Sequence, residues 1–217
     1  MHMITSSNGA SILEMDLDSM SKALWHRLNR SGWPLSLKLL PKGSALVGGA
    51  VRDGLLNRLL RKSDLDFVVP NSAIRLAKAL ANLKGGKCVI LDQARDMARW
   101  IFEDWTIDFS SQCGESLEDD LKRRDYTINS IALLCSRQPQ IFDPIRGISD
   151  LLESRLVAIS EQNLKDDPLR ILRGLRFIAK FDLTIDSATK YFIERNACLL
   201  PNVSPERIQY ELKQLAS

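Results

Sequence analysis

Two aspartates one residue apart, Asp64 and Asp66, are the side chains whose type and spacing best suit metal chemistry in this sequence. The run over 64–69 alternates polar and apolar residues, as a β-strand does. Residues two apart on a strand point to the same face, so the two carboxylates converge, and like charges that close are costly without a cation between them. Carboxylate oxygens are hard ligands that suit Mg²⁺. The alternative is a solvated Asp-x-Asp at the entrance of a strand.

A glycine pair, Gly48 and Gly49, precedes these aspartates and follows the apolar run at 44–47. Glycines between a buried strand and a helix let the backbone approach a ligand closely, and the helix start offers free N–H groups suited to phosphate. Arg52 adds a cation. A plain tight turn is the other interpretation, but with the aspartates the pair predicts metal-dependent nucleotidyl transfer, in which two ions activate a hydroxyl and stabilise leaving pyrophosphate.

Asp108 is a third carboxylate of interest because apolar Ile107 and Phe109 flank it on a strand-like run. It is either a further ligand aimed at the same metals or the end of an edge strand, and the sequence favours neither.

The elements that must position these residues follow from hydrophobic periodicity. We expect strands at 44–47, 64–69, 87–91, 98–102 and 106–109, which would form a mixed sheet of four or five strands. We expect helices at about 16–30, 51–60, 73–83, 117–123, 127–134, 148–153, 168–181, 187–195 and 205–215. This order predicts an α+β fold whose second half is helical, with the turn at 143–147 as the boundary.

One predicted helix carries a stripe of charged residues at steps of three. Its members are Asp167, Arg170, Arg173 and Arg176. Leu172, Leu175 and Ala179 are expected to face the core instead. Asp167 before Pro168 also fits a capped helix start, and the arginines also fit an ordinary solvated face. Arg123 and Arg124 have a similar alternative, namely a surface charge cluster at a helix end.

The composition excludes several classes of protein. The 217 residues are 45% hydrophobic and 26% charged, with a net charge of +3, and no apolar run is long enough to cross a membrane. The segment before Asp16 lacks the pattern of a signal peptide, so we expect a loose leader. Four widely separated cysteines fit neither a zinc site nor a disulfide framework, which favours a cytoplasmic protein.

Four ordered motifs resemble those of the class II tRNA nucleotidyltransferase (CCA-adding enzyme) and poly(A) polymerase family. They are Gly-Gly-Ala-Val-Arg-Asp at 48–53 with the aspartate pair, Leu-Lys-Arg-Arg-Asp-Tyr-Thr-Ile-Asn at 121–129, Asp-x-x-x-Gly-x-x-Asp-Leu at 143–151, and Asp-Pro-Leu-Arg-Ile-Leu-Arg-Gly-Leu-Arg-Phe at 167–177. The resemblance runs from about Ser44 to Leu215.

The resemblance implies a polymerase-β-like nucleotidyltransferase head and an all-helical neck that reads the incoming base. It implies that Asp64 and Asp66 are catalytic and hold Mg²⁺ in a two-metal site, with CTP and/or ATP as substrates. The residues that it places on or near the nucleotide are Gly48, Gly49, Arg52, Arg124, Asp167, Arg170, Arg173 and Arg176. We therefore expect a leader and helix at 1–43, a head at 44–142 and a truncated neck at 143–217.

The reaction that this family implies is addition of CMP and/or AMP to the 3′ end of tRNA, with release of pyrophosphate. Family enzymes continue into body and tail domains that hold tRNA, so a second copy or a partner chain could supply these parts. Asp166 stands where the family usually has Glu, and 91–99 lacks the Gly-basic-basic-Phe run common in poly(A) polymerases. The alternatives are a poly(A) polymerase, a non-catalytic nucleotide- or RNA-binding remnant, and an enzyme acting on a small-molecule or protein acceptor.

Overall fold

The computed structural model describes residues 11–28, 32–59 and 64–216, which form a mixed sheet flanked by helices. The seven strands of the sheet are β1 Ala45–Val47, β2 Leu65–Val69, β3 Lys87–Asp92, β4 Met97–Phe102, β5 Trp105–Ser111, β6 Ala132–Leu134 and β7 Gln140–Phe142. Their spatial order is β3-β4-β5-β2-β1-β6-β7. The pair β2–β5 is parallel, and all other neighbours are antiparallel. The predicted α+β class is confirmed.

Helices precede, interrupt and follow the sheet. They are α1 Leu17–Leu28, α2 Gly49–Leu55, α3 Ala73–Lys84, α4 Leu117–Lys122, α5 Gly147–Leu152, α6 Glu161–Asp166, α7 Leu169–Phe181, α8 Ser187–Asn196 and α9 Pro205–Leu215. A small parallel pair, β8 Arg155–Leu156 and β9 Thr184–Ile185, lies among the last helices. The division of the chain at 142/143 into head and neck stays a prediction.

The segment at 127–134 was expected to be a helix, and that expectation is wrong. A single 3₁₀ turn at Thr127–Asn129 precedes β6. This strand pairs with β1, which lies far earlier in the chain. Ile131, Ala132 and Leu133 are all buried. A short run that is buried on both sides has no periodicity that distinguishes a strand from a helix. The prediction of four or five strands therefore missed β6 and β7.

The two faces of the sheet are covered unequally. Alternate residues of β2, namely Leu65, Phe67 and Val69, point into the large core that the sheet shares with the helices. Val68 points the opposite way, into a small cluster that includes Leu121 of α4. Because strand side chains alternate, Asp66 lies on this second, thinly covered face.

Three boundary predictions need correction or restriction. The helix expected at 51–60 begins at Gly49 and ends at Leu55, while 60–63 lie outside the described residues. The leader is not loose throughout, because Ile12 and Leu13 pack in the core. Within the described ranges, no helix combines the length and apolar character that a membrane crossing requires.

Helix α7 buries a different face from the one predicted. Leu175 and Ala179 are exposed and Leu172 is only half-buried, whereas the fully buried positions are Leu169, Ile171, Gly174, Phe177 and Phe181. The arginine stripe therefore borders the core and is not an open solvated face. The reason is that the apolar side chains of α7 pack against Tyr126, which no surface pattern of the helix reveals.

Gly174 is the contact point between α7 and the 3₁₀ turn. A Cβ atom at Gly174 would lie 2.0 Å from the hydroxyl oxygen of Tyr126. Tyr126 is fully buried, and its hydroxyl donates to the Arg170 carbonyl at 2.8 Å, so the ring cannot swing away. Only glycine permits this approach.

We expect Gly174→Ala to destabilise the protein by about 2–4 kcal/mol through overpacking, although alanine normally favours a helix over glycine by about 1 kcal/mol. Urea unfolding followed by circular dichroism measures the change. Ala179→Ser, at an exposed position of the same helix, serves as the control and should change the free energy of unfolding by less than about 0.5 kcal/mol. A variant more stable than wild type would show that this close contact does not exist.

Candidate active site

Asp66 and Asp108 lie side by side on the thinly covered face of the sheet. They are directly paired in the parallel register of β2 and β5, so their side chains point to the same face. Since β5 lies between β4 and β2, Asp108 is not at the end of an edge strand. Asp64 is exposed and immediately precedes β2. The structure thus brings the predicted carboxylates together where the start of β2 lies beside the middle of β5.

The charge state of Asp66 reflects this crowding. Burial and the nearby carboxylates of Asp108 and Asp64 together raise its pKa to about 6, although the positive charge of Arg124 opposes the rise. Ionising a carboxyl is costly when other carboxylates lie close to it. A divalent cation bound to these oxygens would supply that charge, so the donor set fits a hard metal ion.

Asp108 already has a cationic partner on the neighbouring strand. Arg99 Nε and Nη2 donate to the two carboxylate oxygens of Asp108 at 2.7 and 2.8 Å, a bidentate pair that raises the pKa of Arg99. Such a pair fixes the orientation of both groups. Asp108 therefore contributes negative charge next to Asp66 while its own oxygens are held by Arg99.

The glycine turn approaches Asp66 closely. Gly48 has a φ of +73°, a conformation that favours glycine, and a Cβ atom there would lie 3.3 Å from Asp66 Oδ2 and 3.8 Å from Arg124 Nη1. Helix α2 begins at the next residue, Gly49. A helix N-terminus, a carboxylate pair and an arginine thus converge on one point, as expected for a site that binds a metal-chelated phosphate.

Arg124 follows α4 and supplies the cation of this site. Its Nη2 donates to Asp120 Oδ2 at 3.1 Å, which anchors the side chain. Its Nε is buried and has no hydrogen-bond partner among the described residues. Buried donors are almost always paired, so an unpaired one beside Asp66 and Gly48 suits an anionic ligand.

Arg52 lies near Gly49, with its Nη2 3.6 Å from where a Cβ atom of that residue would be. Its guanidinium group is buried over the Phe181 ring at 4.4 Å, its Nε donates to Asp53 at 2.8 Å, and its Nη1 donates to Asn129 Oδ1 at 2.5 Å. Burial lowers its pKa despite the charge of Asp53. Arg52 thus connects α2 with α7.

Asp125 continues this connection. Asn129 Nδ2 donates to Asp125 Oδ1 at 3.0 Å, and Arg173 Nε and Nη2 donate to Asp125 Oδ2, both at 2.9 Å. Burial alone would raise the pKa of Asp125, but the charge of Arg173 and the hydrogen bonds hold it below its usual range. Sequence reasoning assigned no role to Asp125 or Asn129. Their spacing of four, around buried Tyr126 and Ile128, was the signal that could have found them.

The four residues of the predicted stripe have different surroundings. Arg170 Nη1 donates to the carbonyls of Arg123 and Asn163, at 2.8 and 3.1 Å, and Arg176 forms an ion pair with buried Glu211 of α9. Arg173 is bound to Asp125. Asp167 Oδ2 accepts from Arg207 at 3.0 Å, whereas its Oδ1 is buried without a partner among the described residues.

Asn163 places this helical region against the Arg124 segment. Its side-chain nitrogen donates to the carbonyls of Lys122 and Arg124, each at 2.7 Å. Asn163 lies on α6, which the sequence did not predict. In the described part of the chain, no group of three or more histidine, cysteine, aspartate or glutamate side chains is arranged to hold a metal, so a metal at Asp64 and Asp66 would take its other ligands from water or substrate.

Comparison with known proteins identifies the family. The sequence model described as "Poly A polymerase head domain" matches residues 44–157, which is more than half of the chain. The chain belongs to this family. A second model, "Probable RNA and SrmB-binding site of polymerase A", matches residues 182–215 of this poly(A) polymerase head-domain protein. The resemblance inferred from the four motifs is confirmed.

Several relatives of this family member have curated names. A CC-adding tRNA nucleotidyltransferase of Synechocystis sp. is 44% identical over 182 residues, covering 84% of this chain and 44% of the relative. An A-adding tRNA nucleotidyltransferase of Deinococcus radiodurans is 40% identical over 180 residues, covering 81% of this chain and 40% of the relative. The chain thus spans less than half the length of either relative.

A solved structure of a CCA-adding enzyme with CTP superposes on the chain with a TM-score of 0.74 at 28% identity. The match covers 90% of this chain and 49% of the other. The head-domain fold and the helices after it are therefore shared with this enzyme.

Asp66→Asn should increase the stability of this family member in EDTA at pH 7.5 by about 1–3 kcal/mol, because it removes a carboxylate whose pKa is about 6. The raised pKa means that wild-type stability falls as pH rises from about 4 to about 6, so the gain should vanish at pH 4. Urea unfolding at both pH values measures it. Asp92→Asn, at an exposed ion pair, should change stability by less than about 0.5 kcal/mol. A loss of stability in the Asp66 variant at pH 7.5 would show that the neighbouring carboxylates do not destabilise the ionised form of Asp66.

Asp125→Asn should destabilise the protein by about 1.5–3 kcal/mol at pH 7, because it weakens the hydrogen bonds that this buried carboxylate accepts from Arg173 and Asn129. The depressed pKa means that this contribution is present above about pH 4 and is lost as pH falls further. Wild type and variant should therefore converge in acid. Asp18→Asn, at an exposed helical ion pair, is the control. Equal unfolding midpoints for Asp125→Asn and wild type at pH 7 would refute the role of this carboxylate.

Proposed function

We propose that the chain is the catalytic part of an RNA nucleotidyltransferase that adds CMP and/or AMP from CTP or ATP to the 3′ end of tRNA. The observation that carries the proposal is the convergence of Asp66, Asp108, the Gly48 turn and Arg124 where the start of β2 lies beside the middle of β5. That arrangement offers negative charge for a cation next to donors for a phosphate, which is what phosphoryl transfer requires.

In this proposal Asp64 and Asp66 hold Mg²⁺. The bound metal supplies charge neutralisation at the triphosphate and activation of the attacking hydroxyl. Arg124 Nε and the backbone of Gly48 and Gly49 at the start of α2 bind phosphate oxygens. The RNA 3′-oxygen forms a bond to the α-phosphorus, the bond between the α-phosphorus and the bridging oxygen breaks, and pyrophosphate leaves with that oxygen.

We assign the remaining predicted nucleotide contacts to two groups. Asp167 and Arg170, at the start of α7, are proposed to face the base. Arg52, Arg173 and Arg176 are proposed to act indirectly, since their guanidinium groups are bound to Asn129, Asp125 and Glu211. They hold α7 at a fixed distance from the metal site and so set where a base can lie.

The relatives support tRNA as the acceptor. Two of them are named as CC-adding and A-adding tRNA nucleotidyltransferases, and a structural neighbour is described as a CCA-adding enzyme with CTP. The two names differ in the base that is added, so we propose CTP and ATP as the substrate class without choosing between them. We propose a cytoplasmic location on the same basis.

The decisive experiment incubates the 217-residue protein with Mg²⁺, each labelled nucleoside triphosphate separately, and tRNA lacking its last one, two or three nucleotides. We expect incorporation from CTP or ATP and release of pyrophosphate. Asp64→Ala and Asp66→Ala should each lower the rate by about 10³-fold or more, the scale of losing a main electrostatic group of the transition state. Asp18→Ala, on α1, is the matched control and should retain the wild-type rate.

Other outcomes would assign other functions. Nucleotide binding without incorporation into any acceptor would support a non-catalytic remnant. Long homopolymeric A tails on unrelated RNA would support a poly(A) polymerase. Triphosphate turnover that is indifferent to RNA would indicate a small-molecule or protein acceptor. Absence of both nucleotide binding and turnover would overturn the proposal.

A further inference from the structure

The two oxygens of the Asp167 carboxylate are in different surroundings. Oδ2 accepts a hydrogen bond from Arg207 Nη2 at 3.0 Å. Oδ1 is buried and accepts from no described residue. A buried acceptor without a partner costs free energy comparable to a lost hydrogen bond, so this oxygen is suited to a ligand that brings a donor.

The position of Asp167 relates this acceptor to the metal site. Asp167 directly precedes α7, and Arg170 of the first turn donates to the carbonyl of Arg123. The next residue, Arg124, lies beside Gly48 and Asp66. Asp167 is therefore joined to the site by a short chain of contacts.

The missing donor has a definite chemistry if the ligand is a nucleotide. Cytosine and adenine each carry an exocyclic amino group, which donates, whereas uracil and guanine carry a carbonyl oxygen at the corresponding place, which accepts. An ionised carboxylate accepts and never donates. A fixed carboxylate oxygen therefore favours cytosine and adenine over uracil and guanine. This preference requires that the carboxylate keeps its orientation.

We propose that Arg207 is a positioning residue for nucleotide selection: by binding Oδ2 of Asp167, it fixes the carboxylate so that Oδ1 alone is presented to the amino group of cytosine or adenine. This inference rests on the proposed function. Arg207 belongs to α9 and touches neither the carboxylate pair nor Arg124 by any hydrogen bond or ion pair found among the described residues. Its effect on the base is exerted through Asp167.

The packing of α9 makes Arg207 a fixed support. Glu211, one helical turn further along α9, is buried and forms an ion pair with Arg176 of α7. Residues four apart share a helix face, so Arg207 and Glu211 contact α7 together. The side chain of Arg207 is 54% exposed, which means that it can be replaced without opening the core.

The test compares Arg207→Ala, Arg207→Lys and Arg195→Ala in the extension assay with CTP, ATP, UTP and GTP. Arg195 is a matched control, because its side chain is 58% exposed and pairs with Glu161 instead of Asp167. We expect Arg207→Ala to reduce the ratio of kcat/KM for CTP over UTP, and for ATP over GTP, by about 10-fold, the scale of one charge-assisted hydrogen bond. Arg207→Lys should restore part of the ratio, and Arg195→Ala should leave it unchanged.

A merely structural role predicts something different. Loss of folding or of α9 packing would lower kcat/KM for all four nucleotides by one factor and leave the ratios intact, which would overturn the proposal. A second check combines Arg207→Ala with Asp167→Asn. If the two residues act as a unit, Arg207→Ala should not change the kcat/KM ratios of the Asp167→Asn protein any further. Additive effects would also overturn it.

Direct titration of nucleotides separates this inference from the proposed function. If the wild-type protein binds CTP more tightly than UTP but extends no RNA, the proposed function fails, and the ratio of dissociation constants in Arg207→Ala still decides the role of Arg207. A wild-type protein that binds CTP and UTP equally would refute the selection by Asp167 and with it the proposal for Arg207.

Discussion

The buried carboxylate of Asp125 is the interaction on which the rest of the structure depends. It accepts from Arg173 of α7 and from Asn129, which in turn binds Arg52 of α2. A charge in a low-dielectric interior is stable only with its partners in place. This network therefore fixes α2, which follows the glycine turn, and α7 at one relative position. If the proposed function holds, the same network sets the separation between the phosphate and the base of a bound nucleotide.

The carboxylates around Asp66 follow the opposite electrostatic rule. Burial and the neighbouring carboxylates of Asp108 and Asp64 raise the pKa of Asp66. Such a site lowers the stability of the folded chain, which is common where function requires crowded charges. Asp125 is neutralised by Arg173 and stabilises the fold, whereas the charge of Asp66 would be balanced by the cation that we propose there. The same residue type is thus neutralised by arginine at one position and crowded by other carboxylates at the other.

Prediction from the sequence succeeded where local patterns decide the structure. The alternation at 64–69 gave β2, and helical periodicity gave α3, α8 and α9 within a residue or two. It failed at 127–134, because the strand β6 is defined by pairing with β1 and not by its own pattern. It also failed on α7, where Leu175 is exposed. The face that α7 buries depends on Tyr126, which contacts Gly174 from 48 positions earlier in the chain.

The sequence by itself determined the types of groups that do chemistry and their order: a glycine turn, two aspartates, Arg124, and a charged helix start at Asp167. Tertiary structure decided which of them meet. Spacing along one strand aligns Asp64 with Asp66, but only the parallel pairing of β2 and β5 brings Asp108 beside Asp66. Likewise, arginines that look equivalent along α7 differ because each one's partner, Asp125 or Glu211, comes from a distant segment. The sequence determines which residues are charged, whereas long-range contacts determine which of these charges are neutralised.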